Sequence, residues 1–437
     1  MANGRAEEIA ELMAAARADT FQIFDIVARE EYLHQSPGGG FRPIIWHLAH
    51  IGVFEAYWIL QKAKGDATLD ERYDRIFDPI KTPREESKNL PARREMEDYL
   101  TRVRDGVLSY LDRINFEDSP SPLLRDAYVF QLVLEHERQH QETLLYLLQL
   151  LDPAKKRRPQ KQPEPVVSPA ADSTPNDMVT IPAGPFDMGS PWNSFAYDNE
   201  LPPRNVFVPA FKLDRLLTTN AEYANFVEEG GYERREWWSE EGWAWREREN
   251  CEMPLYWTRD GHDWRGRAMF GEGLIEPQHP VTGISWYEAE AYARFMGKRL
   301  PSEAEWEKAA SWDAARESKR RFAWGDTEPP SPARCNFDTH FWGPTAVGSF
   351  PAGASYDGCL DMTGNVWEWT NDPFAGFPGF EAYPYPEYSE TWFDGDHRVL
   401  KGGSWATRAS VLRTSFRNFF RRHFRIAFAG IRCASEA

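Results

Sequence analysis

Two histidines stand four residues apart in the stretch LEHERQHQE (134–142). On a helix, His136 and His140 project from one face, near enough for both rings to reach a single ion. That face also carries Leu132, Val133, Leu144 and Leu147, the stripe expected to turn toward a core. An imidazole placed there needs a hydrogen-bond partner or a metal, because leaving it unpaired costs a few kcal/mol. Taken alone, the pair fits a solvated or core-satisfied couple better than a ligand set. A second segment, PIIWHLAHIGVFEAYWIL (43–60), puts His47, His50, Ile51, Phe54 and Trp58 on one face. Either His47 or His50 can supply a third imidazole, and periodicity does not choose between them. Three imidazoles at one end of a bundle suit Zn, Fe, Ni or Cu. A facial set of three leaves positions open for substrate and O2, as non-haem Fe(II) chemistry requires. The neighbouring Glu135, Glu137 and Glu142 are expected at the solvent or as acceptors for the imidazoles.

The elements that must hold these residues are helical. Residues 5–30, 43 to about 62, 92–115 and 123–151 repeat apolar side chains at helical spacing, which predicts an up-and-down four-helix bundle over 1–152. Pro43 suits the start of the second helix. The prolines of FDPIKTPREESKNLP predict that the connection 63–91 is a structured loop without a regular helix. Residues 153–177 are rich in Pro, Lys and small polar residues and read as an extended linker, its KKRRPQK run a solvated spacer. From 178 to 437 short strands, turns and helices predict a mixed α+β domain. There MVTIPAGPFDMGS reads as a hairpin and NAEYANFVEEGGY as a helix stopped by glycines. A helix from Tyr287 to Met296 ends at Gly297, and Ser302 and Glu305 have capping-box spacing for another. No internal repeat is present.

The whole chain, 437 residues, is long enough for two cores. Eighteen Trp point to a compact aromatic-rich domain. A formal charge of −17 argues against nucleic-acid and anionic-membrane partners. No apolar run approaches the roughly 20 residues that cross a bilayer, and the charged N-terminus lacks a signal-peptide core. Four cysteines without a CxxC pair suit a reducing compartment, so the cytoplasm is the expected address. Nothing in the sequence sets an oligomeric state.

IPAGPFDMGS, HPVTGISWYEAEAYARFMGKRLPSEAEWEKAA, DMTGNVWEWTND and RVLKGGSW occur in that order. They resemble the formylglycine-generating (sulfatase-modifying factor) family, whose fold is like a C-type lectin. Such motifs specify fold more tightly than function. The closely spaced cysteine pair that this family uses near its C-terminus is missing, since only Cys433 stands there; sulfatase maturation is not expected. A bundle carrying WHLAHIG and HERQH, joined to such a domain, is similar to the iron-dependent sulfoxide synthases of ergothioneine biosynthesis, with selenoneine synthases as close relatives. In that family a DinB-like bundle holds Fe(II) through three histidines. The enzyme couples the imidazole C2 of hercynine to a thiol and oxidises the sulfur with O2.

The resemblance implies His50, His136 and His140 as metal ligands and Gln139 as a contact to the hercynine imidazole. It implies Asn418 at the betaine end, with Phe419 suited to the trimethylammonium group. The family employs a tyrosine as an acid; Tyr383, Tyr385 and Tyr388 are at hand, with Tyr383 or Tyr385 favoured. Members using γ-glutamylcysteine carry an Asn-Trp-Asp pattern where this chain reads Asn418-Phe419-Phe420. That favours a smaller donor, cysteine, or a selenium donor such as a selenosugar. Arg84, Arg421, Arg422 and Arg425 are candidate anchors for the donor carboxylate. An ovothiol-type enzyme is disfavoured for want of an added methyltransferase domain. In DMTGNVWEW, Asn365 offers oxygen ligands for Ca2+, set against simple packing by Trp367 and Trp369. Two other classes stay open: a zinc-dependent DinB-like thiol transferase, and a non-catalytic binding module.

Overall fold

The computed structural model describes residues 2–38, 40–116, 119–159, 177–191 and 195–437. It divides into two compact units, Met1–Gln160 and Lys161–Ala437. Residues 160–176, most of the expected linker, lie outside the described residues. Its first residues are docked on the helical unit: Lys156 bridges to Val27 and its Nζ donates to Leu148 O at 2.7 Å.

The first unit is built on α1 (Ala2–Asp25), α2 (Trp46–Glu55), α3 (Arg93–Leu111) and α4 (Tyr128–Leu150). α1 packs on α4, and α2 packs on both α3 and α4. The sequence of α2 accounts for its central place, because Trp46, Leu48, Ala49, Ile51 and Val53 are all buried. Gly52 lets α2 approach α3 closely; a Cβ there would stand 2.9 Å from Leu100 Cδ1. α2 continues as a π-helical stretch, Ala56–Lys64, closed by Gly65 at φ +89°. α3 buries Met96, Tyr99, Leu100, Val103, Val107 and Leu111, a single helical stripe.

The connection between α2 and α3 departs from expectation, since it holds a short regular helix, Glu71–Ile76. Asp70 caps it by accepting from the amides of Arg72 and Tyr73. The helix ends before Pro79, so the prolines restrict only the residues beyond it. Among the described residues, no helix is long and apolar enough to cross a membrane.

The second unit contains β1 (Met178–Ile181), β2 (Gly184–Met188), β3 (Arg204–Val208) and β4 (Phe211–Asp214). The predicted hairpin at 178–190 does not form. β1 pairs antiparallel with β4 and β2 with β3, so Pro182-Ala183-Gly184 carries the chain from one sheet to another. Helices come next at α5 (Asn220–Glu228) and α6 (Glu240–Glu249), then a meander of β5 (Trp257–Asp260), β6 (Asp263–Ala268) and β7 (Gly271–Leu274). α7 (Trp286–Phe295) and α8 (Glu303–Ser311) start at Ser285 and Ser302, each with a complete capping box.

A four-stranded sheet joins β8 (Trp367–Pro373), β9 (His397–Lys401), β10 (Asn418–Arg421) and β11 (Ala429–Gly430), in the order β10-β9-β8-β11. The last strand, β12 (Ala434–Glu436), returns to pair with β4. Trp306, Phe186, Leu213, Met362 and Phe377 fill one core. Beside them Arg432 is fully buried against Glu368, which also accepts from Trp306 Nε1 at 2.7 Å. The four cysteines are buried free thiols.

Candidate metal centre

α2 and α4 bring His50, His136 and His140 together. One ring nitrogen from each lies within 4.8 Å of the others. Ring centroids are 4.4 Å apart for His136 and His140, 4.8 Å for His50 and His140, and 5.2 Å for His50 and His136. Among the described residues, this is the one group of three His, Cys, Asp or Glu side chains close enough to hold an ion.

Each ring is held by a different device. His50 Nδ1 lies 2.7 Å from Phe77 O, which makes Nδ1 the donor and leaves Nε2 free of its proton. Trp46 stacks on the same ring at 4.5 Å, and the Arg42 guanidinium covers Trp46 at 4.5 Å. Arg42 also binds the loop that presents Phe77, donating to Thr82 O at 2.7 Å, to Pro83 O at 3.3 Å and to the Ser87 hydroxyl. His136 lies face to face with Phe54, 3.6 Å between centroids and 6° from parallel, and its Nδ1 is buried without a hydrogen-bond partner. His140 Nδ1 stands 3.1 Å from Nδ1 of His47.

Burial depresses the basicity of all four rings. His50 falls to about 4 and His47 to about 3, the latter also opposed by His50 and by Arg42. His136 and His140 fall well below the ordinary value, again through burial and then through the charges of His50 and His47, to which His136 adds for His140. Four neutral imidazoles, one with an orphaned buried nitrogen, are chemically suited to a borderline divalent metal, because such ligands bind through an unprotonated nitrogen.

Of the two places expected for the glutamates around the pair, the solvent is excluded. Glu135, Glu137 and Glu142 are all buried, and none is a solvent-facing residue. Glu137 accepts from Arg17 Nε at 2.8 Å and from the Thr20 hydroxyl at 2.8 Å. Arg17 also donates to Glu55 at 2.7 Å, and Arg104 reaches Glu55 at 2.7 Å. Two guanidinium groups and two carboxylates thus tie all four helices together. The signal was present in α1, where Met13, Ala16, Arg17 and Thr20 fall on one helical face.

The other sequence-derived candidates fall in two places. In the helical unit, Gln139 is half-buried on α4 and its Nε2 donates to Glu135 O at 3.3 Å. Arg84 is exposed and lines a groove with His34, Phe41, Pro43, Lys88 and Asn89. In the second unit, Asn418 opens β10, its Oδ1 accepting from the Phe419 amide at 2.9 Å. Phe419 stacks on Phe374 at 4.0 Å and has Trp392, His397 and Tyr388 around it.

Arg421 and Arg422 pair with Asp396, Arg422 also with Glu241, and Arg425 pairs with Glu288 at 2.8 Å. The Tyr383 amide donates to Asp198, which also accepts from the Ser389 hydroxyl, so both ends of the tyrosine-bearing segment are gripped. Tyr388 stacks on Tyr197 at 4.1 Å. Burial, then Asp198 and Glu387, raises the Tyr385 phenol above its ordinary value. The Asn365 side chain accepts from the Thr345 amide at 2.9 Å and donates to Thr345 O at 3.2 Å, bracing a loop. Trp367 and Trp369 are buried.

Residues 163–437 match the sulfatase-modifying factor enzyme 1-like domain, and residues 12–144 match the DinB superfamily. The chain is 38 % identical to hercynine oxygenase of Mycolicibacterium thermoresistibile, covering 98 % of this chain and 94 % of that protein. It is 37 % identical to hercynine oxygenase of Mycolicibacterium smegmatis, covering 98 % of each. Formylglycine-generating enzyme of Thermomonospora curvata is 33 % identical over 59 % of this chain and 93 % of its own length. With both domains present in order and kinship running through nearly the whole length, the chain belongs to the ergothioneine sulfoxide synthase family.

Proposed function

We propose that this protein is a non-haem Fe(II), O2-dependent sulfoxide synthase joining the imidazole C2 of hercynine to a thiol, with cysteine preferred over γ-glutamylcysteine. The observation that carries the reading is the convergence of His50, His136 and His140 in a chain akin to hercynine oxygenases over 98 % of its length. In the balanced reaction one C–H and one S–H bond break and a C–S bond forms. One oxygen atom of O2 becomes the sulfoxide while the other leaves as water.

His50, His136 and His140 would hold the iron, which supplies a Lewis acid for the thiol and an open position for O2. The protein's own residues do the placing. Neutral imidazoles are ready as ligands without first losing a proton. The Gln139 amide is suited to hydrogen-bond the hercynine ring, and Phe419 to face a trimethylammonium group. Of the candidate arginines, Arg84 best fits the donor carboxylate, because Arg421, Arg422 and Arg425 are already matched with protein carboxylates. A tyrosine of the segment gripped through Asp198, Tyr383 or Tyr385, is the favoured acid. Four buried free thiols support a cytoplasmic address.

The test is O2 uptake by anaerobically purified, Fe(II)-loaded protein given hercynine with cysteine, γ-glutamylcysteine or a selenosugar, products being identified by mass spectrometry. A hercynine–cysteine sulfoxide is expected, at a higher kcat/KM than the γ-glutamyl product. Uptake only with the selenosugar would make the protein a selenoneine synthase. Thiol transfer supported by Zn without O2 would replace the oxygenase reading, and inertness toward every donor would leave a binding module.

A further inference from the structure

We infer that His47 is a positioning residue for the metal centre, its Nδ1 accepting the proton carried by Nδ1 of His140 and so leaving His140 Nε2 bare for the ion. The inference rests on the reading of His50, His136 and His140 as the ligands. Its basis is the 3.1 Å separation of the two Nδ1 atoms. A neutral imidazole has one N–H and one lone pair, so a single proton lies between two such nitrogens. If His47 donated, His140 would keep its proton on Nε2 and could not ligate through that atom. If His140 donates, Nε2 is available and its ring orientation is fixed.

The parallel with His50 strengthens the assignment. There the same Nδ1 position is satisfied by a backbone carbonyl, Phe77 O, at 2.7 Å. His140 thus receives from a side chain what His50 receives from the backbone. His47 is well placed to serve as a fixed acceptor. It lies on α2, three residues before His50, is buried, and packs edge-on against Trp46 at 5.4 Å. Ligand imidazoles held by such a partner bind more tightly because orientation and tautomer are set before the metal arrives.

The test is Co(II) titration of the full-length metal-free protein, monitored through its visible d–d bands. His47→Ala is expected to weaken Co(II) binding about 10- to 100-fold and to shift those bands. His47→Asn, whose Oδ1 can occupy the place of Nδ1, is expected to recover affinity and spectrum to within a few-fold. If the alanine variant does not fold, His47→Leu, which keeps volume and lacks the acceptor, takes its place. Wild-type affinity and bands in the alanine or leucine variant would overturn the inference, as would an asparagine variant no better than alanine. His140→Ala is titrated alongside. Undiminished Co(II) binding there would overturn the ligand reading itself, whatever the His47 variants do.

Discussion

The Arg17 guanidinium on α1 donates to the Glu137 carboxylate on α4 at 2.8 Å, one residue beyond His136, with both side chains buried. Glu55, five residues after His50, belongs to the same network through Arg17 and Arg104. The helices that carry the three imidazoles are therefore locked to one another by charge as well as by packing. Arg17→Met leaves two buried carboxylates to share Arg104. Breaking such a network from one side is expected to cost about 3–5 kcal/mol. The change should appear as a lower urea midpoint at unaltered slope. An unchanged midpoint would mean that desolvation of the guanidinium already cancels its pairing.

Arg42 supports the centre from the other side. It donates to the carbonyls of Thr82 and Pro83 while lying over Trp46, which stacks on His50. Arg42→Met should leave the fold intact, at a cost of about 1–3 kcal/mol, yet loosen the loop that offers Phe77 O to His50. Amide exchange across residues 77–88 is the measurement. Acceleration there of at least roughly tenfold, the effect of about 1.4 kcal/mol of local opening, is expected, together with weaker Co(II) binding. Unaltered exchange would show that the loop stands without its guanidinium.

Asp198 yields a pH-dependent outcome. Burial is the largest influence on its carboxyl and, with Glu200 adding to it, raises the pKa from 3.8 to about 6. The folded protein therefore holds a proton that the unfolded chain gives up at lower pH. The stability from that proton is full below 3.8 and is lost as pH rises through about 6. The loss approaches about 3 kcal/mol. Asp198→Asn cannot ionise, so its Tm should gain on wild type between about pH 4 and pH 6 and keep a steady lead above. A difference that is constant from acid to alkaline pH would show that Asp198 titrates as it does in the unfolded chain.

Helical periodicity conveyed much of the helical unit, because an amphipathic stripe such as Met96 to Leu111 is repeated over several turns. It could not choose between His47 and His50. Both lie on the buried side of α2, and only the docking of α4 decides which ring joins His136. The role of Arg17 was missed for a related reason. A lone cation within a helical stripe reads as surface charge until the carboxylates from other helices are seen beside it. The second unit was harder at the level of strand pairing. Pro182-Ala183-Gly184 has the chemistry of a turn, yet β1 and β2 each find a partner well along the chain, β4 and β3. Strands of four or five residues carry too little register information to name their neighbours, and packing around Trp306 and the Arg432–Glu368 pair settles it.

Donor choice offers the last test. Phe420 lies opposite Arg398 on β9 and stacks on Phe424 at 4.4 Å, at the position where the family resemblance implies a carboxylate in members that use γ-glutamylcysteine. Phe420→Asp would supply a partner for a γ-glutamyl ammonium. A charge-assisted hydrogen bond is worth about 1.5–3 kcal/mol, roughly 10- to 100-fold in relative kcat/KM. The ratio of γ-glutamylcysteine to cysteine turnover should rise accordingly, with the KM for hercynine unaltered. Arg84→Met separates the two parts of donor recognition. If Arg84 holds the carboxylate that both donors share, its loss raises KM for each thiol by a similar factor and leaves their ratio alone. A change confined to one donor would move Arg84 from general anchor to selector. An equal loss of both activities in Phe420→Asp would show that the aromatic pair maintains the sheet and does not discriminate between thiols.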